Sequence, residues 1–243
     1  PSASPSQSPS ASQSPSASVS PSPGAGLTIN DYNSGQQTAP GASGSFNVPI
    51  AVNGTNRLLV AYVSYGEEVG DRPDGNVIIS ASYNGDPMTG LLRKESGSDA
   101  GDSGYGELFY LVNPDTGTNN LTISWVNGGT GGQTVVIGGG VSFYSEVSAL
   151  NIQTLTSASN EAGSAPTITV GTATGHIVVA GLSEGTDAAV TVGTSLWNRN
   201  VNAGSSAGNA SMAYNTGAAN ATITGTNDGD KGAIIGIDVY ETS

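Results

Sequence analysis

The chain has 243 residues, with 6 Lys and Arg against 19 Asp and Glu, a net charge of −13 and no cysteine. That balance argues against nucleic-acid binding and against attraction to anionic membrane surfaces, both of which need clustered cations. The absence of cysteine removes disulfides and thiolate metal sites.

Helix formers are scarce, glycine numbers 36, and no stretch keeps a 3.6-residue period, so the expected class is all-β. The chain opens on a tract with serine at every even position: Ser2, Ser4, Ser6, Ser8, Ser10, Ser12, Ser14, Ser16, Ser18, Ser20 and Ser22. Pro, Ala, Gln and Val19 fill the odd places, and Pro-Ser-X-Ser recurs within it. Proline fixes φ and removes donors, so residues 1–25 read as an extended polyproline II stalk, whose Pro/Ser tract over 1–23 would span roughly 70 Å. Such a tract has nothing to bury, and its composition is that of O-glycosylated stalks. The eleven serines are therefore the expected glycosylation sites.

Residues 26–243 read as a single β-sandwich domain, with no internal repeat that stands out. Runs 27–32 and 45–52 come first, then 57–65, apolar on both faces and so a central strand covered on both sides. Residues 77–83 lead into Asn84-Gly85, a strong hairpin signal, with Pro87 and Met88 starting the return. The run 107–112 ends in the turn Asn113-Pro114-Asp115-Thr116-Gly117. Leu121, Ile123 and Trp125 then alternate with Thr122 and Ser124, which predicts a half-buried strand with the first three inward. Within 135–144, Gly138-Gly139-Gly140 predicts a bulge or sharp bend. Further runs at 152–156, 167–170, 176–182, 189–192, 211–214, 221–224 and 233–240 bring the total to roughly twelve to fourteen strands, which suits a two-sheet, jelly-roll-like sandwich.

Candidate chemistry is sparse. Glu67, Glu68, Asp71 and Asp74 crowd one loop and would be the place for a structural Ca²⁺, with solvated surface as the plain alternative. Glu95, Asp99 and Asp102, and Asp228 with Asp230, form lesser acidic groups. Trp197 could stack on a sugar ring, as could Tyr65, Tyr83 and Tyr105, against the alternative that aromatics fill the core. Gly204-Ser205-Ser206-Ala207-Gly208 matches G-x-S-x-G but lacks the strand-turn-helix elbow. His176 is the only histidine and reads as a strand start, so no enzyme is expected. Asn53, Asn120, Asn209 and Asn220 head N-glycosylation sequons. Pro1 follows no basic-then-apolar leader, and the end carries no lipidation signal, so the expectation is an exported chain with its leader removed or more stalk upstream.

The segments NRLLVAYVSY, ASYNGDPMTGL, GELFYLVNPDTGTNNLTISW, GGGVSFY and GAIIGIDVYE together resemble a β-sandwich module found in secreted, surface and phage-associated bacterial proteins, with Phe109 where that module usually has Trp. The resemblance implies a fold and an extracellular setting and brings no catalytic residues. The Pro-Ser-X-Ser tract is similar to the repeats of glycan-coated extracellular fibres. The expectation is thus a structural fibre or appendage subunit that self-assembles, carries covalent glycans, and inserts in no membrane. The alternative is a carbohydrate-binding or adhesin head on a flexible tether.

Overall fold

The computed structural model describes residues 26–38, 42–67, 77–95, 103–126, 135–160, 164–184, 190–203, 206–216, 220–225 and 232–242. The regular elements among them are all strands: β1 Thr28–Thr38, β2 Ser43–Val52, β3 Arg57–Glu67, β4 Ile78–Tyr83, β5 Asp86–Pro87, β6 Thr89–Glu95, β7 Ser103–Val112, β8 Gly117–Val126 and β9 Val135–Tyr144. They continue with β10 Leu150–Asn160, β11 Thr167–Gly171, β12 Ile177–Glu184, β13 Val190–Val192, β14 Thr194–Ala203, β15 Ser206–Thr216, β16 Asn220–Gly225 and β17 Gly232–Glu241. The proposed stalk, residues 1–25, lies outside the described residues.

The all-β expectation holds, but among the described residues the strands form four sheets where two were expected. Their orders are β1-β9-β3-β7-β6, β2-β8-β4-β5, β10-β17-β12-β15-β14 and β11-β16-β13. The second pair repeats the first, with β10 to β13 standing for β1 to β4, β14 to β17 for β6 to β9, and no counterpart to the two-residue β5 among the described residues. The repeat reaches individual residues. Tyr62 of β3 pairs with Gly139 and Leu108, and Gly181 of β12 pairs with Ile235 and Met212. By this register Leu58–Ser64 matches Ile177–Ser183, and Ser142 and Tyr144 match Asp238 and Tyr240.

Strand alternation builds three cores from these sheets. In β3, Leu59, Ala61, Val63 and Tyr65 face the outer sheet and join Ile50, Tyr83, Leu121, Ile123 and Trp125. Its other face, Leu58, Val60 and Tyr62, meets Ile177, Val179, Ile235, Ile237 and Val239 of the second half. Val178, Ala180 and Leu182 on the back of β12 close a third core with Ile168, Val170 and Ile223. The layers therefore run outer, inner, inner, outer, and the doubly apolar strands are those with a sheet on both sides. Burial of each such side chain stabilises by about 1.5–3 kcal/mol.

The two inner sheets meet around Tyr62. Its ring lies on Gly181, its own counterpart in the second half, where a Cβ would overlap the ring carbons. A Cβ on Gly106 would overlap the phenol oxygen, which sits 2.5 Å from Ser183 Oγ. Arg199 adds a second tie between the halves through Nε to Ser34 Oγ at 2.9 Å.

Two local readings are corrected. Gly138-Gly139-Gly140 makes no bend: β9 keeps unbroken register through them with both β1 and β3. The glycines are needed for close approach, since a Cβ on Gly138 would meet Ile123 and one on Gly139 the Asn33 carbonyl. Residues 194–203, outside the runs expected as strands, form β14. A register shift between Ser195 and Trp197 turns Leu196 and Trp197 both inward and hides the period of two. The Asn84-Gly85 hairpin is present, with φ of 51° and 92°, the two positive values a type I′ turn requires.

Candidate functional site

The strand ends gather into two poles. Thr28 and Arg57 both pair with Tyr144, and Leu150 pairs with Glu241. The entry at Gly26, the link 145–149 between the halves and Thr242 therefore share one pole, here termed proximal. It is braced tightly. Ser145 Oγ hydrogen-bonds the Glu241 carboxylate and accepts from Val147 N at 3.1 Å and Ser148 N at 3.2 Å. Thr55 Oγ1 and Asn56 Nδ2 each donate to the Ser145 carbonyl at 3.0 Å, and Thr242 N donates to Ala149 O at 2.8 Å. Gly26 lies against Ser145 and Glu241, whose side chains would have to shift to admit a Cβ.

At the opposite, distal pole lie the strand ends that flank residues 68–76, 96–102 and 226–231, the three acidic segments. Glu67 is the last residue of β3. Glu68, Asp71 and Asp74 lie outside the described residues, as do Ser2 to Ser22, Asp99, Asp102, Asp228 and Asp230. Among the described residues no three His, Asp or Glu side chains gather as a metal site.

Trp197, proposed from sequence as a sugar platform, is only 7% exposed and belongs to the core between the inner sheets. Tyr65, Tyr83 and Tyr105 are likewise buried. No face of these rings is presented to solvent, which corrects the stacking reading for all four. Of the sequon asparagines, Asn209 is buried while Asn53, Asn120 and Asn220 are exposed.

A polar cluster that the sequence reading missed surrounds Asp238. This carboxylate is fully buried and accepts from Gln153 Nε2 at 2.8 Å and Thr172 Oγ1 at 2.7 Å, with His176 Nδ1 at 2.7 Å. The imidazole stacks on Tyr240 with ring centroids 5.3 Å apart. Among the described residues the hydroxyl hydrogen-bonded to this group is that of Thr172, which bonds the carboxylate. A bulge in β10 between Gln153 and Thr156, with Thr154 at φ 49°, lies beside Gln153. The first half has the same device. β1 bulges between Ile29 and Asp31, and Asn30 Nδ2 donates to Ser142 Oγ, the counterpart of Asp238, at 3.3 Å and to Ala51 O at 2.7 Å. In both halves a buried polar group on the last strand is satisfied from a bulged first strand, which pins the proximal end of each sandwich.

Comparison with protein-family models, curated proteins and solved structures finds no match to this chain. No helix of the described residues is long and apolar enough to cross a membrane.

Proposed function

We propose that the chain is a structural subunit of an extracellular fibre or surface appendage, with two fused jelly rolls as its body and residues 1–25 as an O-glycosylated stalk. The observation that carries this reading is the unbroken alternation of serine from Ser2 to Ser22, running within a few residues into the braced proximal pole at Gly26. Sugars on alternate residues would stiffen the tract and shield it from proteases. The jelly-roll assignment is supported by strand order: in each half the inner sheet joins the first and last strands, and the outer sheet joins the second and next-to-last. Self-assembly is the expected partnership, with the stalk sugars as lateral contacts between copies and Ca²⁺, if used, at Glu67, Glu68, Asp71 and Asp74.

Mass spectrometry of the native N-terminal peptide tests the stalk, and electron microscopy of native material tests the assembly. Sugar-bearing peptides and ordered repeating protomers are expected. A peptide at its bare sequence mass, together with monomeric particles, would refute the proposal. The pole geometry favours one second reading, a binding head on a tether, because Gly26 and Thr242 both lie at the proximal pole.

A further inference from the structure

Beside the proximal pole of the first half, the Asn84-Gly85 hairpin and the start of β8 border an open groove of about 340 Å³ lined by Asn84, Gly85, Thr118, Asn119, Asn120 and Thr122. We propose that this groove is a binding site for a neutral saccharide.

Every lining group is an amide, a hydroxyl or glycine; no charged side chain lines it. Three members are held in place. Asn84 N donates to Asn120 O at 3.0 Å and its Nδ2 to Asp115 Oδ2 at 2.8 Å. Asn119 Nδ2 donates to Thr116 O at 3.2 Å, and Thr122 Oγ1 to Asn47 Oδ1 at 2.8 Å. The Asn120 amide and the Thr118 hydroxyl bond no other side chain among the described residues, so their capacity is left for a ligand. An amide offers a donor and an acceptor side by side, which matches the adjacent hydroxyls of a pyranose. A phosphate or uronate would find no cation here and would meet the field of a chain at −13. The volume is at the small end of ligand pockets, enough for one or two sugar rings.

The repeat supplies an internal control. By register Asn120 corresponds to Asn220, and in sequence alone the three residues before Asn220 read Gly217, Ala218 and Ala219 where those before Asn120 read Gly117, Thr118 and Asn119. The hairpin is also missing from the second half, where β13 passes through Gly193 alone into β14. The scaffold alone therefore does not explain the polar set of the first half.

The test is a titration of ¹⁵N-labelled full-length protein with methyl α-mannoside, methyl β-glucoside, methyl β-galactoside and glucuronate, each to tens of millimolar. At least one neutral glycoside is expected to shift the side-chain amide signals of Asn84, Asn119 and Asn120 and the Gly85 backbone signal, and glucuronate is expected to shift none of them. Asn120→Ala, and separately Thr118→Ala, should weaken the response about tenfold or more while leaving the rest of the spectrum in place. Silence from all three glycosides, an equal response to glucuronate, or unchanged binding in both variants would overturn the proposal.

Discussion

Gly181→Ala sets two effects against each other, and the geometry at Tyr62 decides the sign. Glycine inside a strand is worse than alanine by roughly 0.5–1 kcal/mol, so propensity alone makes the change stabilising. Packing opposes it. β12 is held on both sides by β15 and β17, and β3 by β7 and β9, so neither backbone can recede. The ring cannot swing aside either, since Gly106 lies under its hydroxyl and Ser183 bonds it. Over-packing of this kind costs about 1–3 kcal/mol, and displacing the phenol adds about 1 kcal/mol for the lost hydrogen bond. A net loss of roughly 2–3 kcal/mol is expected in equilibrium urea unfolding followed by circular dichroism. Tyr62→Ala alone should cost about 3–5 kcal/mol by leaving a cavity. In that background Gly181→Ala should become neutral or stabilising, because the methyl then enters vacated space. A stabilised Gly181→Ala single variant, or additive losses in the double variant, would refute the contact between the two halves.

The remaining expectations are narrower. Trp125→Ala should cost roughly 3–5 kcal/mol in the same urea assay, because the ring is 2% exposed and lies over Gly44, and a near-neutral result would place Trp125 outside the core. Asp238→Ala strips the acceptor from Gln153, Thr172 and His176 and should cost roughly 3–5 kcal/mol, with Asp238→Asn milder because it keeps one oxygen acceptor; equal losses for the two would show that the retained acceptor counts for nothing there. Burial raises the Tyr83 phenol above its ordinary value near 10, against the lowering effect of Asn119. Its neutral form is favoured in the fold, so this contribution is intact below about pH 10 and is lost as pH rises through the folded value. Tyr83→Phe should flatten that alkaline decline in a urea series run across pH, and an unchanged decline would assign it to other groups.

What could be read in advance was what depends on neighbours in sequence. The doubly apolar run 58–63 announced a strand between two layers, the alternation at Leu121, Ile123 and Trp125 gave the inward face, and Asn84-Gly85 gave a turn. The duplication stayed hidden because the residues at its centre must differ. A second tyrosine at 181 would collide with Tyr62, so one half keeps the ring and the other the glycine. Trp197 was misplaced because a bulge breaks the period that marks a strand. Asp238 stands alone in an apolar run, and its partners Gln153, Thr172 and His176 come from other elements. The groove at Asn84 likewise joins a hairpin to a strand more than thirty residues on, and only strand pairing brings them together.

The shared pole of Gly26 and Thr242 has a mechanical corollary. Tension applied through those two residues would pull from a single corner of the body, opening the β1–β9 ladder and the two ladders that hold β17, to β10 and to β12, from their ends, one hydrogen-bonded pair at a time, instead of shearing whole strands together. A filament drawn along its chain ends would thus carry its strain past the sandwiches, which would ride on it as pendants, whereas a body gripped at the distal pole and pulled by its stalk would be loaded along the full length of its strands.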